Sequence, residues 1–377
     1  MQFRSKMIPI AGAIAFALTG SAYAQEQVIK IGHTGPLSGP NAFAGKDDEN
    51  GVRLALEELN AKKITIDGKQ IKFELSSEDD QCDAKAGVNV AQKFVDAGVK
   101  FVMGPYCSSV AIPASRVYGD AGVMLSTAGT SSKVTQGGYK NLYRIIASDS
   151  QLGASLALYA AKELKVKTVG VIDDRTAFGQ GLANEFTKVA KSLGLQIAGQ
   201  EFTTDKATDF NAILTSLKAK KVEMIFLGGY APQGAPMARQ MKQLDMNMKL
   251  MGGETLCSPE MSKLGGDAVG DNVICTLGGA MLDKVSSGPA FKAKYKKRFN
   301  QDPDTYAVAF YDQMLFIGEA MQKAKSVDPV KVGEELRKMT YKGVAGNYSY
   351  DEKGNMKQSP TTIATFKNGV PVALGSY

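Results

Sequence analysis

Histidine is almost missing from this chain: His33 is the single copy in 377 residues. A Ser-His-Asp hydrolase could be assembled only around that one residue, and a His-rich zinc centre cannot be assembled at all. No G-x-S-x-G elbow presents a nucleophilic serine, and no G-x-x-x-x-G-K-S/T loop cradles a phosphate. The nearest approach to a dinucleotide fingerprint, 179-GQGLAN-184, lacks its third glycine. His33 itself lies in a strand-like run, 28-VIKIGHTG-35, where a packed structural role is expected. An enzyme is therefore not expected, nor is a cofactor or a metal.

Long apolar runs are also missing, except at the start. Arg4 and Lys6 precede an apolar stretch from Met7 to Leu18, and the small-residue pattern Ala22-Tyr23-Ala24 follows, as in a cleaved secretory signal. The expectation is a signal peptide over 1–24, a mature chain from Gln25 and export to the periplasm. Removing that segment takes two basic and no acidic residues, so the formal charge falls from +7 to +5. The densest basic run, 292-KAKYKKR-298, has helical spacing and reads as a solvated face. No aromatic platform accompanies it, so nucleic acid is not an expected partner.

Cysteine is scarce but even in number. Cys82, Cys107, Cys257 and Cys275 allow three pairings in an oxidising compartment. Pairing of neighbours closes the shortest loops and would add about 3 kcal/mol for each bridge.

What the chain does have is a rhythm. β-rich runs near 28–32, 71–76, 101–104, 123–126 and 142–146 alternate with helical patterns over 45–60, 84–97 and 109–118. A second series follows, with strands near 168–172, 196–202, 222–228, 250–252 and 273–276. Its helices fall near 152–164, 179–193, 210–220 and 232–244. Such βαβα alternation predicts an α/β fold of two Rossmann-like lobes with parallel sheets facing across a cleft. Long helices over 288–299, 305–324 and 328–339 come next, and a hairpin turning at Asn368-Gly369 ends the chain.

In open parallel sheets a ligand sits beyond the carboxyl ends of the strands, where helix N-termini offer free N–H groups. The residues after the strands are therefore the candidate site. The first unit supplies Cys107-Ser108-Ser109 and 126-STAGTSS-132; the second supplies Asp173-Asp174, 228-GGYAP-232 and 252-GGET-255. Hydroxyls and helix N–H groups suit a carboxylate, and an acid opposite them suits an ammonium. A molecule carrying both on one carbon is an amino acid.

Six stretches in order, 35-GPLSGPNAFAG-45, 79-DDQCD-83, 104-GPYCSSVAIPAS-115, 126-STAGTSSKVT-135, 228-GGYAP-232 and 350-YDEKGN-355, resemble the type I periplasmic binding proteins that feed ABC importers. The resemblance is to the leucine/isoleucine/valine-binding branch and covers essentially the whole mature chain. It implies a three-strand hinge with crossings near 145–149, 276–277 and 344–350. Lobe 1 would then be 25–145 plus 277–345, and lobe 2 149–275 plus 350–377.

The resemblance also implies ligand contacts. Ser108 would hold the carboxylate, Ala128 and Thr130 the backbone atoms of the ligand, and Glu254 the ammonium. Tyr230 would close over it, and Ser109, Gly129, Phe43, Tyr106 and Phe178 would complete the set. It pairs Cys82 with Cys107, and leaves the pairing of Cys257 and Cys275 open. Where leucine-binding relatives carry aromatic residues, this chain has Ala44 beside Phe43, and Phe178 in place of a tyrosine. The implied partners are leucine, isoleucine or valine and an inner-membrane ABC permease, with the protein acting as a monomer. Another small carboxylate or amide, or a chemosensory role, is the alternative.

Overall fold

The first strand, β1 (Glu26–Gly35), becomes fully buried over its last five residues, as expected of a strand inside a sheet covered on both faces. It belongs to a computed structural model that describes residues 26–377; the expected signal peptide over 1–24 and the start at Gln25 lie outside the described residues. After β1 come α1 (Ala42–Ala61), β2 (Thr65–Ile66), β3 (Lys69–Asp79), α2 (Ala84–Asp96), β4 (Phe101–Met103) and α3 (Ser108–Asp120). β5 (Met124–Thr127), α4 (Lys133–Gln136) and β6 (Leu142–Arg144) complete the first series. These strands form one sheet in the order β2-β3-β1-β4-β5-β6, parallel except for the short β2.

The second series runs α5 (Asp149–Lys162), β7 (Thr168–Asp173), α6 (Ala177–Ser192), β8 (Gln196–Phe202), α7 (Asn211–Ala219) and β9 (Met224–Gly228). It continues through α8 (Ala231–Gln243), β10 (Lys249–Gly252), a 3-10 turn (Glu254–Cys257), α9 (Pro259–Gly265) and β11 (Val273–Gly278). Then follow α10 (Gly288–Phe299), α11 (Ala307–Ala324), α12 (Pro329–Lys338), and a small ribbon of β12 (Tyr341–Lys342) and β13 (Asn347–Tyr348). β14 (Thr361–Lys367) and β15 (Val370–Ser376) end the chain.

The second sheet has the order β15-β14-β11-β10-β9-β7-β8. β8, β7, β9, β10 and β11 run parallel, and the terminal hairpin adds two antiparallel strands at the β11 edge. Its turn holds Asn368 and Gly369 both at positive φ, the geometry Asn-Gly favours in a two-residue hairpin. α10 and α11 pack against α1, and α12 against β5, so the late helices cover the first sheet. The fold is thus α/β with two lobes, and the chain passes between them after β6, after β11 and before β14.

Each lobe has an apolar core. Val52, Leu56, Phe101, Val110 and Phe310 are buried in the first; Leu214, Ile225, Leu227, Met237 and Leu250 in the second. The partial fingerprint at 179 proves to be helical: Gly179 and Gly228 let α6 ride directly on β9, and a Cβ on Gly228 would run into the Gly179 carbonyl. His33 is fully buried, its ring edge against Phe310, and burial lowers its pKa to about 4, so it is neutral. Lys292, Lys294, Lys296 and Arg298 on α10 pair with Asp283, Glu58, Asp302 and Glu57. No described helix is long and apolar enough to cross a membrane.

Candidate functional site

The end of β4 is built for close approach. Gly104 has φ +115°, and a Cβ there would strike the Thr34 carbonyl, so only glycine fits. Pro105, Tyr106 and Cys107 follow, and α3 begins at Ser108. Cys107 is joined to Cys82 with Cα atoms 5.4 Å apart, which ties the helix start to the end of β3. Asp80 fixes the other side of that staple, accepting from Thr34 Oγ1 at 2.8 Å and from the Cys82 N–H at 3.0 Å. Cys257 and Cys275 are likewise joined, Cα atoms 5.4 Å apart, beside the turn that carries Glu254.

The loop after β5 is held from both sides. Thr127 Oγ1 donates to the Pro105 carbonyl at 2.7 Å and accepts from the Gly129 N–H at 3.0 Å. Ser108 Oγ accepts from the Ser131 N–H at 3.2 Å. From behind, the buried Arg144 guanidinium donates to the carbonyls of Gly129 (2.7 Å) and Ser131 (3.0 Å), and its Nε to Asn355 at 3.1 Å. Fixing residues 129 and 131 from the back leaves Ala128 and Thr130 to face the cleft.

The two lobes close on a shared cavity. The first supplies Tyr106, Ser108, Ala128, Thr130 and, from the start of α11, Tyr306; the second supplies Phe178, Tyr230, Glu254 and Thr255. Its volume is about 10 Å³, roughly the room of one water. Rings form a continuous wall: Phe178 to Tyr230 at 5.0 Å between centroids, Tyr230 to Tyr106 at 6.1 Å, Tyr106 to Tyr306 at 5.8 Å. Tyr306 is set by Asp47 of α1, which accepts from the N–H groups of Asp304 and Ala307, each at 2.8 Å.

Polar groups at this cavity lack protein partners. Glu254 Oε2 and the Tyr306 hydroxyl are buried and make no hydrogen bond, while Thr130 Oγ1, short of hydrogen-bond geometry, stands near enough to Asp149 to favour its ionised form. The Tyr306 hydroxyl stands near enough to Glu254 to favour its ionised form, yet short of hydrogen-bond geometry. Burial raises the Glu254 carboxyl to about 7. Behind Thr130, Asp149 is raised to about 8, again chiefly by burial. A carboxyl poised between charged and neutral, across from hydroxyls with unused capacity, can exchange its desolvation cost for a cationic partner.

Of the residues expected at the site, Tyr106, Ser108, Ala128, Thr130, Phe178, Tyr230 and Glu254 line the cavity, and Ser109, Gly129 and Phe43 do not. Ser109 Oγ instead accepts from the Ala177 N–H across the cleft at 3.3 Å. Gly129 turns its carbonyl to Arg144, and Phe43 packs against the cores of both lobes. Tyr306 was not anticipated, and Thr255 was only part of the candidate stretch 252-GGET-255, without a role. Thr255, whose Oγ1 donates to the Gly229 carbonyl at 2.7 Å, adjoins Glu254 in sequence, but nothing local marked Tyr306. Among the described residues no group of three His, Cys, Asp or Glu side chains is arranged to hold a metal ion.

The periplasmic binding protein family model matches residues 28–370. A leucine-, isoleucine-, valine-, threonine- and alanine-binding protein of Pseudomonas aeruginosa is 35% identical over 356 residues, covering 93% of each chain. Among solved structures, the branched-chain amino-acid transporter substrate-binding protein LivJ of Streptococcus pneumoniae, in complex with isoleucine, superposes with a TM-score of 0.83 at 25% identity, covering 93% of this chain and 99% of that one. The leucine-binding protein LivK of Thermotoga maritima gives 0.83 at 26% identity, covering 92% and 98%. With two parallel-sheet lobes and a match along nearly its whole length, this chain belongs to the periplasmic binding protein family.

Proposed function

We propose that the protein is the periplasmic binding component of an ABC importer and captures a branched-chain or similar apolar amino acid between its lobes. One observation carries the reading: Glu254 on one lobe and the Ser108 and Thr130 hydroxyls on the other line the same cavity, and the buried Glu254 Oε2 makes no hydrogen bond. The α-carboxylate would lie on the α3 start and the 128–131 loop, taking hydrogen bonds from Ser108 and Thr130. The ammonium would pair with Glu254, while Tyr230 and Phe178 exclude water. The role is read as binding rather than catalysis: the single histidine, His33, is buried in β1 and is not part of the cavity lining.

Closure would follow from contacts available only when the lobes meet. Ser258 Oγ donates to Asp304 Oδ2 across the cleft at 2.7 Å, and Ser109 accepts from Ala177. A ligand bridging the lobes favours that state by the free energy of those extra contacts. The crossings near 145–149, 276–277 and 344–350 would act as the hinge, and an inner-membrane permease would recognise the closed monomer. The test is calorimetry against a panel of amino acids, aromatic acids and short amides. An apolar amino acid should bind at micromolar Kd or better, about −8 kcal/mol. Binding confined to an aromatic acid or amide, or none at all, would defeat the reading.

A further inference from the structure

Resting on the amino-acid reading above, we infer that the aromatic wall around Tyr106 makes the cleft selective for a short side chain, alanine in preference to leucine. The zwitterionic head is common to all amino acids, so Ser108, Thr130 and Glu254 cannot choose among them. Choice falls to whatever surrounds the α-substituent. Here that surround is a chain of four rings, Phe178, Tyr230, Tyr106 and Tyr306, each touching the next and all at least nine-tenths buried.

Those rings have little room to retreat. Tyr106 sits next to the Cys82–Cys107 staple, Tyr230 and Tyr306 cap α8 and α11, and Phe178 lies in the first turn of α6. Close-packed interiors resist displacement of this kind. Every ligand must part the rings somewhat, and each added carbon must part them further. A bulky side chain therefore holds the lobes apart and weakens the cross-cleft bonds of Ser258 to Asp304 and Ser109 to Ala177. Tyr106 is the first-lobe ring at the seam, touching Tyr230 on the opposite lobe and Tyr306 on its own.

The experiment is calorimetric titration of the ligand-free protein with L-alanine, L-valine and L-leucine, repeated on Tyr106→Leu and Tyr106→Phe. In the wild type alanine should bind at least about tenfold tighter than leucine, the low end of what a methylene-sized difference controls in a shaped pocket. Tyr106→Leu should shift the leucine-to-alanine affinity ratio at least about tenfold toward leucine. Tyr106→Phe, which keeps the ring, should leave the ratio as it was. Leucine binding as tightly as alanine in the wild type overturns the inference while leaving the amino-acid reading intact. An unmoved ratio in a folded Tyr106→Leu removes Tyr106 as the gate. Wild-type protein that binds no amino acid defeats the parent reading, and this one with it.

Discussion

Glu254 shows how one side chain can tie binding to pH. Its carboxyl is raised to about 7 by burial, so in the ligand-free protein it is largely neutral below that pH. A raised folded-state pKa means that its stability contribution is complete below the unfolded value of 4.5 and is lost as pH rises through about 7. An ammonium beside it reverses the preference, pulling the pKa down and releasing a proton on binding. Amino-acid affinity should therefore weaken as pH falls below about 7, toward tenfold per unit. Titrations at pH 6 in two buffers of different ionisation enthalpy should give different apparent enthalpies; identical enthalpies would mean that Glu254 does not meet the ammonium. The sequence exposed this residue because it follows a Gly-Gly at a strand end. It hid Gly129, whose carbonyl is turned from the cleft by the buried Arg144, a contact made across 15 residues that no local pattern marks.

At the scale of elements, the parallel strands were legible because burial on both faces leaves unbroken apolar runs such as 169-VGVI-172 and 224-MIFL-227. The two-residue strands β2, β12 and β13 were not, since pairs this short carry no period. Tyr306 was hidden for another reason: it is brought to the cavity by α11, which returns to the first lobe long after the other site residues have passed. The turn from Glu254 to Cys257 runs into α9, whose N-cap Ser258 accepts from the Glu260 N–H at 3.1 Å and donates to Asp304, two residues before Tyr306. One hydroxyl thus joins the element bearing Glu254 to the element bearing Tyr306. Ser258→Ala should weaken binding of every amino acid by several-fold, corresponding to about 1 kcal/mol for a lost hydrogen bond, without reordering their preference. A lower melting temperature with unchanged affinity would show that the bond supports the fold but not closure.

For the whole molecule, the decisive arrangement is division of labour between lobes. Both halves carry aromatic rings, but the α3 start with Ser108 and Thr130 lies on the first and the acid Glu254 on the second. A zwitterion is the chemistry that satisfies the pair, and by bridging the lobes it would favour the closed arrangement in which they meet. Composition argued only against a Ser-His-Asp hydrolase, through its single histidine; the pairing of donors with an acid was read from the residues that follow the strands. The most direct measurement is a thermodynamic cycle by calorimetry, comparing the tightest-binding amino acid with its deaminated analogue on the wild type and on Glu254→Gln. The account predicts that the analogue loses at least about 2 kcal/mol on the wild type and that the gap narrows markedly on Glu254→Gln. Equal binding of the two ligands to the wild type, or a gap untouched by the substitution, would contradict it.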